Sequence, residues 1–264
     1  MALIRTGFFS ESLGMCTSCD VILPQLTSAD EPGRTFPVVY LLHPIGRSHT
    51  AWQRMTSIEY YAISHGVIVV MPEAHLSSYM DMAHGGNYFT YIADELPEIM
   101  RGFFPISDRR EDTFICGASC GGYGALKIGL NRPERFGAIG SLSSGITSYR
   151  GIIGREDDRG ISLEYLDFGG AEGVDAEDAD TIGKAQQIAE SGENIPRIFV
   201  TCGSDDQILL ENTREARDFF ASFEGNPFDF EYTEHPGGHN WAFWDAHICD
   251  FFRFAGLEPR AHLL

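Results

Sequence analysis

Four short runs of the chain, "PVVYLLH" (37–43), "GVIVVMP" (66–72), "DTFICG" (112–117) and "RIFVTCG" (197–203), are apolar almost without a break and rich in β-branched residues. A strand with one wet face alternates apolar and polar residues; a strand that is apolar on both faces must be covered on both. The stretches between these runs can supply that cover. Helical spacing of apolar residues marks Trp52–Ser64, Tyr91–Phe104, Gly122–Leu130, Leu210–Phe223 and Trp241–Phe254. Strands alternating with helices predict an α/β domain with a mostly parallel central sheet flanked by helices.

Two earlier runs, around Ile4–Phe9 and Cys19–Leu23, are separated by turn-prone residues and predict an antiparallel start, while "FGAIGSLS" and "FDFEYTE" are weaker strand candidates. Pro97 predicts a kink or a later start in the second helix. Asn131 followed by Pro133 ends the third. Residues from about 145 to 195 break the alternation. They are acidic, glycine-containing and poor in apolar side chains, which predicts a small insertion above the sheet, either a roof over a pocket or a solvated surface segment. With 264 residues and no internal repeat, the chain reads as one domain spanning 1–264.

The formal net charge of −19 argues against a nucleic-acid partner, which would need clustered Lys and Arg. No apolar run approaches the length of a membrane span. The first residues, "MALIRTGFFSESLG", lack the apolar core of a signal peptide. Six cysteines are present, and Cys16 and Cys19 form a C-T-S-C pair with no second pair to complete a zinc site. A buried thiol acts as a small hydrophobe, and the expected setting is a reducing cytoplasm.

Gly117-Ala118-Ser119-Cys120-Gly121 fits G-x-S-x-G. Glycine and serine are common, so the pattern alone is weak. It gains force from its place after a predicted buried strand and before a predicted helix, the setting of a nucleophile elbow. Serine needs an adjacent general base, itself oriented by an acid, and both should follow it in the order acid, then histidine. Four histidines follow the acid segment: His235, His239, His247 and His262. His239, after two glycines in "EHPGGHNWAFWD", sits in a loop from which a side chain can reach back over the sheet, and it is the expected base. Pro236, Gly237 and Gly238 rule out a helical His235–His239 metal pair. The acid should come from "GSDDQIL"; spacing alone leaves Asp205 and Asp206 undecided, and either could instead cap the next helix. The oxyanion hole needs two backbone N–H groups, one expected from Cys120. The other should come from "LLHPIGRSHTAW", where Pro44 has no N–H to offer, so Ile45 is expected ahead of Gly46.

These segments together resemble the tributyrin-esterase branch of the esterase D family, which is related to S-formylglutathione hydrolases, feruloyl and acetyl-xylan esterases and the antigen 85 mycolyltransferases. The resemblance runs in order through "FFSESLGM", "VVYLLHPIG", "VIVVMPEAHLSSYMDM", "GASCGGYGALKIGL", "CGSDDQIL" and "HPGGHNWAFWD". It implies an α/β-hydrolase fold, a Ser119–His239–Asp206 triad, and oxyanion donors at Ile45 and Cys120. Its G-[ST]-x-D pattern selects Asp206. The family has Gly where this chain has Pro44, so the path of that loop departs from the pattern. "SSYMDM" makes Tyr79 and Asp81 pocket candidates, although both also suit ordinary turn packing. Trp52, Trp241 and Trp244 match positions near the site, with Trp241 taken as a substrate contact. No metal and no diffusible cofactor are implied. The implied activity is hydrolysis of short acyl esters, acylated sugars among them, through an acyl-enzyme. S-formylglutathione thioesterase and a non-catalytic binding protein are the alternatives. The expected partner is a small-molecule ester, with homo-oligomerisation left open.

Overall fold

The computed structural model describes residues 2–25, 33–146 and 180–259. Its sheet has eight strands among the described residues: β1 (Ala2–Ser10), β2 (Met15–Leu23), β3 (Val38–Leu42), β4 (Ile68–Pro72), β5 (Thr113–Ala118), β6 (Ala138–Leu142), β7 (Arg197–Gly203) and β8 (Glu231–His235). The spatial order is β1-β2-β4-β3-β5-β6-β7-β8. β1 and β2 run antiparallel to their neighbours, and every pairing from β4 to β8 is parallel.

Every residue of β3 to β6 is buried, as the unbroken apolar runs require. The pleat distributes them between two cores. Val38, Tyr40 and Leu42 join the core on one face, with Ile68, Val70, Ile115 and Val200. Val39 and Leu41 join the core on the other, with Val69, Met71, Phe114 and Phe199. The second face is covered by α1 (Ala51–Met55), α2 (Ile58–His65) and a C-terminal helix, Trp241–Phe254, which supplies Phe243, Trp244, Ile248, Phe251 and Phe252. The first face is covered by the remaining longer helices. In chain order the others are α3 (Tyr88–Thr90), α4 (Leu96–Phe103), α5 (Cys120–Asn131), α6 (Thr181–Ser191) and α7 (Leu210–Ala221), so the C-terminal one is α8.

Three boundaries differ from the sequence reading. The stretch expected as one helix at Trp52–Ser64 is two, because Thr56 turns extended between α1 and α2. The helix expected from Tyr91 begins as a wider π turn at Tyr91–Glu95 and becomes α-helical at Leu96. Pro97 is the second residue of α4, directly after the π turn. Of the insertion expected at 145–195, residues 147–179 lie outside the described residues; Thr181–Ser191 is a regular helix capped by the Asp180 side chain, which accepts from Gly183 N–H at 2.9 Å.

The chain goes from β3 to β4 on one side and then returns to place β5 on the other side of β3. The strand order therefore reverses between β3 and β5, and a crevice opens there at the carboxyl ends of the strands. The loop after β3 and the turn after β5 meet at that point.

Candidate active site

β5 ends at Ala118 and α5 starts at Cys120, which leaves Ser119 alone to turn the chain. Its backbone takes φ 54° and ψ −123°, a conformation that a side chain rarely adopts. The turn is held by three hydrogen bonds: Ser119 N–H donates to Leu142 O at 2.8 Å, and its carbonyl accepts from Gly122 and Tyr123 N–H at 2.8 and 3.2 Å. The glycines around it are there for space. A Cβ on Gly117 would lie 2.3 Å from the Gly121 carbonyl oxygen, and one on Gly121 would lie 2.5 Å from Leu42 O and 2.9 Å from His43 O. The start of α5 thus sits directly on the end of β3 and its loop.

Ser119 is 6% exposed, and its Oγ lies 2.9 Å from Nε2 of His239. His239 stands in the loop between β8 and α8, with Asn240 capping α8 through its side chain. The Nδ1 of His239 is 2.8 Å from Oδ2 of Asp206. A carboxylate only accepts, so Nδ1 carries the hydrogen and Nε2 presents its lone pair to the Ser119 hydroxyl. Asp206 follows β7 and is 2% exposed. Its Oδ1 accepts from Ile208 and Leu209 N–H, both at 2.9 Å, and its Oδ2 also faces the Cys202 sulfur at 3.6 Å. Burial pushes the Cys202 thiol up to about 12, so it stays protonated and acts as a weak donor. Burial alone would raise the Asp206 carboxyl, but hydrogen bonds from His239 and from the Leu209 and Ile208 amides hold it below its ordinary value.

The structure separates the two adjacent aspartates. Asp205 turns the other way, with its N–H donating to Gly237 O at 2.8 Å and its Oδ2 accepting from Gly237 N–H at 3.3 Å. Asp206 faces the imidazole, and Asp205 ties the imidazole's loop to the end of β7. Trp244 closes the other side of His239, edge-on at 5.2 Å, and donates its indole N–H to Ser143 Oγ at 3.1 Å.

The pocket candidates fare differently. Tyr79 is 2% exposed, and its hydroxyl donates to His43 O at 2.6 Å, at the loop after β3. The Asp81 carboxylate accepts from Thr90 N–H at 2.9 Å and Thr90 Oγ1 at 2.6 Å, so it tethers the start of the 88–103 helical stretch. Trp241 is half-buried in an edge-to-face chain between Trp52 and Trp244. Cys16 is exposed and Cys19 buried, on opposite faces of β2, and all six cysteines are free thiols.

Among the described residues, one group could gather a metal ion, His235, His247 and Asp250, outside the crevice. The two imidazoles are stacked 4.3 Å apart at 11°, and parallel rings do not converge their lone pairs on one point. Asp250 is already paired with His247 Nδ1 at 2.7 Å and with Arg253.

Sequence reasoning passed over Glu73 and the His43 side chain, both 6% exposed or less at the ends of β4 and β3. The available signal was a titratable residue directly after an unbroken apolar strand, as in "YLLH" and "VVMPE".

Residues 10–255 match the model of the Esterase family ("Putative esterase"). The chain belongs to this family. It is 31% identical to an acetyl esterase of Caldicellulosiruptor saccharolyticus, over 96% of this chain and 98% of that protein. Among solved structures it is similar to a fluorophosphonate-binding serine hydrolase of Staphylococcus aureus, FphF, with a TM-score of 0.87, 28% identity, and 97% and 98% of the two chains covered. It is also similar to an S-formylglutathione hydrolase of the same organism, with a TM-score of 0.84, 28% identity and 97% and 99% coverage. The family member is a carboxylic ester hydrolase with the α/β-hydrolase fold, as its resemblance to the esterase D group implies. No helix among the described residues is long and apolar enough to cross a membrane.

Proposed function

We propose that this chain is a serine carboxylesterase that hydrolyses short-chain acyl esters through an acyl-enzyme, with Ser119, His239 and Asp206 as its triad. The observation that carries the reading is the unbroken line Asp206–His239–Ser119, at 2.8 and 2.9 Å, on a strained turn at the strand-order reversal. In this reading Nε2 of His239 takes the Ser119 proton as Oγ bonds to the ester carbonyl carbon. The imidazolium is stabilised by Asp206, and the oxyanion by the N–H groups of Ile45 and Cys120. His239 then gives its proton to the leaving alcohol oxygen as the C–O bond breaks. Water, deprotonated by the same imidazole, attacks the acyl carbon; the bond from that carbon to Ser119 Oγ breaks, His239 returns the proton to Oγ, and the acid leaves.

The short acyl preference rests on the likeness to an acetyl esterase. Residues 1–264 act in this proposal as one catalytic domain, in a cytoplasmic setting that suits six free thiols. The test is hydrolysis of p-nitrophenyl acetate, butyrate and octanoate by the wild type and Ser119→Ala. Rates should fall with acyl length, and the substitution should lower kcat by something on the order of 10⁶. Undiminished turnover by Ser119→Ala would refute the assignment. A second reading, S-formylglutathione thioesterase, is favoured by the likeness to the staphylococcal hydrolase. Preferential turnover of S-formylglutathione in the same assay would select it.

A further inference from the structure

The start of the loop that leaves β3 is pinned by buried polar groups. His43 is 2% exposed. Its carbonyl accepts the Tyr79 hydroxyl at 2.6 Å, and the carbonyl before it, of Leu42, accepts the Trp52 indole N–H at 2.9 Å. Its imidazole makes three polar contacts. Nδ1 lies 2.8 Å from the Pro44 carbonyl oxygen, and Nε2 lies 3.1 Å from the Ala74 backbone nitrogen. A carbonyl can only accept and an amide N–H can only donate. The Pro44 carbonyl therefore places a hydrogen on Nδ1, while Nε2 faces both the Ala74 amide and, at 3.5 Å, Glu73 Oε1.

The Ala74 amide is itself held in place by Glu73. Glu73 Oε1 accepts from His75 N–H at 2.9 Å, and Oε2 accepts from His49 N–H at 3.2 Å and His49 Nδ1 at 2.8 Å. One buried carboxylate thus fixes the turn after β4 and the far end of the 43–49 loop together. The His43 ring spans the gap between them.

The consequence lies in the Pro44–Ile45 peptide. No cis peptide bond is present, and in a trans peptide the C=O and the following N–H point in opposite directions. Anchoring the Pro44 carbonyl on His43 Nδ1–H therefore sets the direction of the Ile45 N–H. Pro44 has no N–H of its own, so the loop cannot offer a substitute donor at that position. We propose that His43, in its Nδ1–H form and supported by Glu73 through the Ala74 amide, is the positioning residue that orients the Ile45 N–H as an oxyanion donor. This inference rests on the serine-esterase reading given above.

Three substitutions separate the two nitrogens of the ring. In His43→Asn the side-chain NH₂ stands one bond from Cγ, where Nδ1 was, and can still donate to Pro44 O. In His43→Gln the amide reaches the Nε2 position and keeps the contact to Ala74, but loses the donor to Pro44. His43→Leu loses both. Their kcat and KM are measured for p-nitrophenyl acetate beside wild type and Ser119→Ala. Each variant is also titrated with a short alkylboronic acid, whose tetrahedral adduct on Ser119 presents an oxygen to the oxyanion site. The expected result is a loss of about 10²–10³ in kcat for Leu and Gln, the size of one missing oxyanion donor, with KM little changed. Boronate affinity should fall by a similar factor, and Asn should stay within about tenfold of wild type. If His43→Leu does not fold, the Asn and Gln variants decide alone. Activity in Gln equal to wild type, or a loss in Asn as large as in Gln, overturns the assignment of Nδ1. Retained activity in Leu while Ser119→Ala is inactive overturns the positioning role and leaves the triad standing. Retained activity in Ser119→Ala overturns the esterase reading and this inference with it.

Discussion

Replacing Asp206 by Asn tests the site with one atom changed. The wild-type carboxylate takes donors on both oxygens: two backbone amides on Oδ1, and His239 Nδ1–H with the Cys202 thiol on Oδ2. Asn can keep the first pair, because its own oxygen can occupy the Oδ1 position and accept from Ile208 and Leu209. That choice places an NH₂ group where Oδ2 faced the imidazole at 2.8 Å. Two donors cannot face each other, so His239 must move its hydrogen from Nδ1 to Nε2. Nε2–H then points at the Ser119 hydroxyl and has no lone pair to take its proton. The loss is of the base, with the fold intact, and should be on the order of 10⁴ in kcat with little change in KM. Asp205→Asn is the control: among the described residues its carboxylate accepts from the Gly237 amide at 3.3 Å, and it is exposed, so kcat should stay within about tenfold. The assay is p-nitrophenyl acetate hydrolysis with protein folding checked by circular dichroism. A loss of less than tenfold in Asp206→Asn, or equal losses in the two variants, would refute the tautomer argument.

Gly121→Ala would set a Cβ 2.5 Å from Leu42 O and 2.9 Å from His43 O, and both neighbours are backbone that cannot rotate away. The expected cost is about 1–3 kcal/mol, seen as a Tm several degrees lower, together with loss of activity as α5 backs away from the β3 loop; an unchanged Tm would count against the packing argument. Glu73→Gln should show a pH signature. Burial favours the neutral acid, but the imidazoles of His43 and His49 and the His75 amide outweigh it and hold the Glu73 carboxyl well below its ordinary range. A folded-state value below the unfolded one makes the ionised group stabilising above about pH 4.3, the ordinary glutamate value, and progressively less so in acid below it. Urea unfolding should therefore show wild type more stable than Glu73→Gln at pH 7, with the gap closing as pH falls below about 4. A gap independent of pH would mean that charge is not what Glu73 supplies.

Much of the framework was legible in the chain because its signals are local. "VVYLL", "VIVVMP" and "FICGA" have no polar side to show water, so strands buried on both faces, and helices over them, follow from composition over five or six residues. G-A-S-C-G at the end of one such strand is local too. The glycines answer to distances of 2.3 to 2.5 Å that any elbow with a Cβ there would violate. Pro133 marked a helix end and Pro97 the place where a helical stretch changes from π to α, both because proline has no N–H.

The tertiary structure decided what depends on distance in space and not along the chain. Asp205 and Asp206 are neighbours with the same side chain; only the packing of the 235–239 loop against β7 sends one to Gly237 and the other to His239. Tyr79 and Asp81 are pocket candidates only through the resemblance of "SSYMDM", and it takes the packing to show what they touch, the His43 carbonyl for one and Thr90 for the other. Glu73 and His43 lie thirty residues apart and meet only because β3 and β4 are adjacent parallel strands ending at the same level. A hydrogen-bonded tautomer is a property of three-dimensional partners, and no spacing rule contains it.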